Sequence, residues 1–367
     1  MEKFDIEPVL PTKLTEIARF LVKCRTSDGS TPSLMQTYAN GIADVEHRIR
    51  WLLLDNPAAN GSEPLGFYVH DRTAGIRGVT LCFPARFTYG EKPVSGLGSG
   101  SFFVDMEAHS LGYYLFRKYL ARPGYDFYFA TTCNAASASL WKQLGGTSAG
   151  RSEIDYILPL RLDSLLATKV ASRTRSHAAA TLARLGGQCA DAVLTLMTHA
   201  SARLTVELCE DWDKLTELSR RHTPQNIISS ERSANSLQWR YGPASPAHPC
   251  RIYLIRDTRG NEGWFALGRA APTGKDGVTS CALLDAIWPT GKMAFRDLVP
   301  WIIRMAPESA EAVFVRCRPD TDLAAEWRWL LRRRLSGPRA YVIVPRSAPI
   351  LPFGLMDYDD NDYVAWN

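Results

Sequence analysis

The chain has 367 residues, 46% hydrophobic and 22% charged, with a formal net charge of +5. That length holds two cores, and the composition excludes a disordered or fibrous chain. The mild charge suits an anionic small ligand and gives no reason to expect a nucleic-acid partner. No run of about 18 apolar residues occurs, so no transmembrane segment is expected. The acidic start, Met1 to Glu7, lacks the apolar stretch of a secretory signal. The eight cysteines are scattered without a Cys-x-x-Cys pair, which argues against a metal site or a disulfide scaffold. A cytoplasmic protein with reduced cysteines is the expectation.

In chain order, Thr12 predicts a capped helix to Lys23, and a second helix is expected over 33–51. Strands follow near 65–70, 76–86 and 96–104, separated by turn residues at 71–75 and 89–93. The run Ser95-Gly-Leu-Gly-Ser-Gly100 precedes a strand, whereas a phosphate cradle follows one. It therefore reads as flexibility where a strand begins. A helix near 110–121, a strand at 126–132, a helix at 135–144 and a strand at 153–158 complete an α+β layer with a mixed sheet. Residues 163–202 read as a helical connector, broken at Gly186-Gly187.

The second half repeats the order. Strands are expected at 204–209, 251–256, 263–270, 278–287, 311–317 and 340–345, and helices at 211–221, up to Trp239, at 293–305 and at 320–334. The last helix carries Trp327, Trp329 and Arg332-Arg-Arg334, and the acidic stretch 356–362 reads as a solvated tail. Trp51 and Trp239 hold the same place in each half: the end of a helix, a proline-marked turn, then a β meander. A repeat of that size indicates two copies of one domain. The expected limits are 1–162 for the first domain, 163–202 for the connector and 203–367 for the second domain.

The strand at 126–132 runs into Asn134, followed by Ser137, Trp141 and Gly145 three, seven and eleven residues on. This pattern resembles the second half of a GNAT-family acyl-CoA transferase domain, departing at Gly146 where Phe is usual. The chain also looks like the tandem GNAT proteins associated with cell-surface polysaccharide synthesis, on Trp51, Asn56 and Pro57 and on Trp239, Arg240 and Tyr241. The resemblance implies an α+β fold of two GNAT-like domains. Each would be a mixed β-sheet flanked by helices, joined by the helical connector. It further implies acetyl-CoA or another acyl-CoA as co-substrate, with no metal. The acceptor would be an amine of a small molecule or an amino sugar.

Carried onto this sequence, the pyrophosphate loop is Val104 to Tyr114. His109 stands where Arg or Gln is usual, Gly112 matches, and Tyr114 replaces a small residue. Backbone groups near Phe103 and Val104 would polarise the thioester carbonyl. His109, Ser110, Leu111 and Gly112 would cradle the pyrophosphate on helix N–H donors. Asn134, Ser137 and Trp141 would lie along the pantetheine arm, although Asn134 also reads as a plain helix cap. Glu107, Asp105 or His109 would take the acceptor's proton. Trp141 replaces a tyrosine that protonates the thiolate, a task indole cannot perform, so Tyr113, Tyr114 and Tyr156 are the substitutes. The second half carries a degenerate motif. The alternative is a catalytically degenerate GNAT pair that serves as a binding or scaffold protein. A third reading is a peptide-bond-forming relative that uses aminoacyl-tRNA, which the mild charge does not favour.

Overall fold

The computed structural model describes residues 4–27, 41–61, 63–174, 176–197, 204–273, 278–315, 322–327, 330–335, 337–345 and 351–357. The start of the helix expected at 33–51, Trp329, Cys317 and the tail beyond Asp357 lie outside the described residues.

The first half begins with β1 (Phe4–Pro8), α1 (Leu14–Ser27) and α2 (Ile42–Leu53). A meander of β2 (Gly66–Asp71), β3 (Gly75–Tyr89) and β4 (Lys92–Val104) follows, then α3 (Gly112–Leu120), β5 (Phe127–Ala130), α4 (Ala135–Gln143), β6 (Thr147–Ser148) and β7 (Ile154–Pro159). The connector is the hairpin α5 (Leu162–Thr174) and α6 (His177–Met197). The second half runs β8 (Leu204–Leu208), α7 (Trp212–His222), β9 (Ile228–Ser230), α8 (Ala234–Tyr241), β10 (Arg251–Asp257), β11 (Glu262–Leu267), β12 (Ala271–Thr273) and β13 (Val278–Ile287). It ends with α9 (Phe295–Met305), β14 (Ala312–Val315), α10 (Leu323–Glu326), β15 (Leu331–Arg334), β16 (Tyr341–Ile343) and β17 (Met356–Asp357).

Two mixed sheets result, and their strand orders match. The first runs β1-β2-β3-β4-β5-β16-β6, and the second runs β8-β10-β11-β13-β14-β7-β15. Each has a parallel pair at the same place, β4 with β5 and β13 with β14. The two halves exchange a strand. Ile154–Pro159, expected to close the first sheet, pairs with β14 in the second, while Tyr341–Ile343 pairs with β5 in the first. Segment 1–162 therefore lends β7 to the second sheet, and segment 203–367 lends β16, β9 and β17 to the first. The C-terminal residues also return to the first core, where the Phe353 ring lies 5.0 Å from Phe127 and β17 pairs with β9.

The repeated tryptophans meet each other. Trp51 and Trp239 stack with centroids 4.4 Å apart and planes 16° from parallel. Each indole N–H donates to the other residue's carbonyl, at 2.9 Å and 3.0 Å. Both residues sit in the last turn of their helices, where carbonyls lack intrahelical partners. Each ring thus satisfies the end of the other's helix.

Three expectations are corrected. Gly186-Gly187 does not break the connector, because α6 is continuous through both. A Cβ on Gly187 would lie 2.3 Å from the Asp163 Cα, so the glycine allows the two helices to cross closely. Asp191, one turn on, caps the facing helix by accepting from the Leu162 and Asp163 amides at 2.6 Å and 3.0 Å. Among the described residues, the helix expected at 320–334 is Leu323–Glu326, and the arginine run is the edge strand β15. Pairing with β7 and an Arg333–Asp155 ion pair of 2.6 Å outweigh its helical propensity. Finally, Gly96, Gly98 and Gly100 lie inside β4 on one face. A Cβ on Gly98 would stand 2.3 Å from the Phe83 ring and one on Gly96 would stand 2.9 Å from Phe127, so aromatic rings fill the missing side chains' places.

Candidate active site

The local geometry is set by the parting of β4 and β5. They pair only from Gly96 with Phe127 to Gly98 with Phe129. Beyond Ala130 the chain turns into α4, so β4 runs on from Ser99 without that neighbour. On its other side β4 bulges: Leu81 faces Gly100 and Val79 faces Phe103, leaving Ser101 and Phe102 opposite Thr80. Ser101 has φ of 49°, a left-handed conformation that costs a non-glycine residue strain. The fully buried guanidinium of Arg48, on α2, donates to the Ser101 hydroxyl at 3.2 Å. The second sheet bulges at the equivalent point, where Leu284 is the extra residue between the pairs of Leu267 with Leu283 and Ala266 with Asp285. There the buried Arg232 meets Asp285 in a bidentate pair of 2.8 Å and 3.0 Å.

A tyrosine marks the point where the strands separate. The Tyr119 hydroxyl donates to the Leu97 carbonyl on β4 at 2.5 Å and accepts from the Phe129 amide on β5 at 3.1 Å. It takes the place of a ladder bond and is enclosed in the core. Burial pushes its ionisation far above the ordinary tyrosine range, so it is a structural wedge and not a proton source.

After Val104 the chain enters a 3-10 turn, Met106–Leu111, that leads directly into α3. The helical run therefore begins at Asp105 and not at Gly112. Asp105 caps it by accepting from the Met106 amide at 3.1 Å. The Gly112 amide donates to the His109 carbonyl. A Cβ at Gly112 would make only ordinary contacts, 3.4 Å from Val104 and 3.5 Å from Phe102, so the fold itself does not demand glycine here. His109 and Ser110 are exposed, Leu111 is half-buried, and Phe103 and Val104 lie on the part of β4 past the split.

Asp105 and Glu107 both contact Arg77, at 2.8 Å and 3.1 Å, and Asp71 lies 4.0 Å from the same guanidinium. Tyr113 and Tyr114 are exposed and meet edge to face at 5.8 Å, and the Tyr113 hydroxyl is 3.5 Å from Arg117. Tyr156 belongs to the second core and is fully buried, so it cannot serve the first half.

The Asn134 motif is a helix built at both ends. Asn134 accepts from the Ser137 amide at 2.9 Å, and the Ser137 hydroxyl returns to Asn134 at 3.0 Å. Gly145 has φ of 86°, with amide bonds from Gly145 to Lys142 and from Gly146 to Trp141. This is a Schellman ending. A Cβ at Gly146 would fall 2.7 Å from the Trp141 carbonyl, which explains the absence of Phe there. Trp141 is 2% exposed and packs against Phe116 at 4.8 Å and Tyr119 at 6.2 Å. Its ring fastens α4 to α3 from inside. Sequence reasoning missed Arg77, Arg48 and Tyr119, because each acts on a partner far along the chain.

No family model matches the sequence, and no curated protein matches it. Similar solved structures set the class of fold. A conserved Enterococcus faecalis V583 protein of unknown function, described as a probable N-acyltransferase, aligns with 93% of this chain and 72% of its own at 11% identity and a TM-score of 0.57. A GCN5-related N-acetyltransferase from Anabaena variabilis aligns with 93% of this chain and 73% of its own, at 12% identity and a TM-score of 0.55. Saccharomyces cerevisiae N-myristoyltransferase with bound myristoyl-CoA covers 99% of this chain and 84% of its own, at 11% identity and a TM-score of 0.56. The chain has the two-domain α+β GNAT fold, with mixed sheets flanked by helices.

Proposed function

We propose that the protein is an acyl-CoA-dependent N-acyltransferase whose acyl-CoA site lies in the first half. The observation that carries this reading is the parting of β4 from β5 after Gly98, with a bulge at Ser101 and a helical turn beyond Val104. The pantetheine arm would lie along β4 past the split, by Phe103 and Val104. The pyrophosphate would sit at His109, Ser110, Leu111 and Gly112, with Asn134 and Ser137 at the facing helix start. This placement requires the Gly112 amide to leave the His109 carbonyl.

The reaction would be direct. A neutral amine attacks the thioester carbon, the C–N bond forms and the C–S bond breaks. The amine's proton passes to a base, and the thiolate takes a proton as it leaves. Among the expected residues, Glu107 is the more accessible carboxylate, and the exposed Tyr113 hydroxyl beside Arg117 is the proton donor of this scheme. The acceptor is a small-molecule amine, with amino sugars as the first class to test. Acetyl is the first acyl group to test, and the myristoyl-CoA in the yeast neighbour makes a long chain the second.

One observation favours the second reading, a pair of GNAT domains that binds without catalysis. Arg77 holds both Asp105 and Glu107, leaving neither free to act as base without breaking an ion pair. Release of free CoA thiol separates the readings. Acetyl-CoA and a long-chain acyl-CoA would be incubated with a panel of amines and amino sugars. The catalytic reading expects amine-dependent thiol release that falls at least tenfold in Tyr113→Phe. Acyl-CoA binding without release for any amine would favour the binding reading.

A further inference from the structure

The second half carries a charged cleft that acyl transfer in the first half does not use. It measures about 770 Å³, a size within the range of small-molecule sites. It lies between the start of β10, the residues after β11 and the end of α9. Leu267, Ala270 and Met305 give it apolar walls. Tyr253 forms the floor, 4% exposed and stacked on Phe265 at 5.2 Å. Its hydroxyl donates to the Met305 carbonyl at 3.5 Å and ties the helix end to the strand.

Three arginines from three elements line this cleft. Arg251 is the first residue of β10, Arg269 lies just past β11, and Arg304 is in the last turn of α9, 5.5 Å from the Trp301 ring. Among the described residues, Glu308 is the one acidic residue in the lining, so three positive groups against one negative leave +2. Among the described residues, none of the three arginines has an ion-pair partner.

The same place in the first half is built differently. The start of β2 and the residues after α3 enclose a cleft of about 430 Å³ that contains Arg122. There the arginine is ion-paired with Glu63 and donates to the Pro64 carbonyl at 2.8 Å. The first half answers its arginine from within the chain, whereas the second assembles three and answers none. Like charges held together repel, and an anionic ligand would relieve that repulsion.

We propose that this cleft binds a phosphorylated small molecule. The guanidinium forks match phosphate oxygens bidentately, and a net charge of +2 complements a dianion. The apolar walls would take the organic part. The site is separate from the turn after β4 and does not depend on the acyl-CoA reading.

Calorimetric titration of the full chain with inorganic pyrophosphate tests this. Binding that weakens with added salt is expected. It should be at least tenfold weaker in Arg251→Gln/Arg269→Gln than in the wild type. Arg304→Gln, on an exposed helix end, provides a second variant that leaves the strands untouched. Melting temperatures of all variants confirm folding. No binding to the wild type, or equal binding to the arginine variants, would overturn the proposal. Sedimentation with phosphatidylglycerol vesicles in the absence of pyrophosphate binding would also overturn it, in favour of a lipid surface.

Discussion

Trp239→Ala is expected to lower the unfolding free energy by roughly 3–5 kcal/mol, the usual cost of truncating a packed tryptophan. The ring stacks on Trp51 at 4.4 Å, and such stacks add about 0.5–1.5 kcal/mol beyond area burial. The substitution also removes the indole donor that satisfies the Trp51 carbonyl at the end of α2. The reverse bond, from Trp51 to the Trp239 carbonyl, uses backbone that alanine retains. Trp239→Phe should therefore fall between the wild type and alanine. Denaturant unfolding measures the change, and a loss under about 1 kcal/mol would mean the halves are held together elsewhere.

The second large effect is expected at the Arg232–Asp285 pair. Both side chains are over nine-tenths buried, and the carboxylate takes two guanidinium bonds. Asp285→Ala removes the carboxylate and leaves a buried positive charge, a change that typically costs about 3–5 kcal/mol. The double variant Arg232→Met/Asp285→Leu removes both charges and should recover most of that loss. Because Arg232 also donates to Ser229 at 2.6 Å, and β9 pairs with β3, the damage should reach the first sheet as well. A cost in the range of a surface substitution, within about 0.5 kcal/mol, would contradict this.

Much of the fold was legible because its signals are local. Turn residues at 71–75 and 89–93 bound strands that the structure places at Gly66–Asp71, Gly75–Tyr89 and Lys92–Val104. The tryptophan repeat marked the two halves, and the structure shows its reason in the reciprocal bonds of Trp51 and Trp239. The strand exchange was not legible. Ile154–Pro159 and Tyr341–Ile343 are both short apolar strands, and nothing local says which sheet each completes. The arginine run at 331–334 has helical propensity, and only its pairing with β7 makes it a strand. Short β1 and β9 escaped notice for the same reason, as their partners lie far away in sequence.

At the candidate site, the cap at Asn134 and the ending at Gly145 were readable from spacing. The hold of Arg77 on Asp105 and Glu107 was not, since Arg77 sits about 30 residues earlier in an ordinary strand. Trp141 matched the family position, yet its ring lies in the core behind α4, where packing with Phe116 decides its role. Local spacing thus reads the ends of α4, while the pairing of Arg77 with Asp105 and Glu107 is set by the fold.

The proposed function stands on acyl-CoA binding at the turn after β4. Calorimetry of acetyl-CoA and of a long-chain acyl-CoA against the wild type and Gly112→Asp tests it most directly. A Cβ at Gly112 meets Val104 at ordinary contact distance, and the added carboxylate would repel a pyrophosphate. Micromolar binding to the wild type, on the order of −8 kcal/mol, is expected to be lost in a variant which still melts cooperatively. Equal binding to both proteins, or no binding of either acyl-CoA, would contradict it.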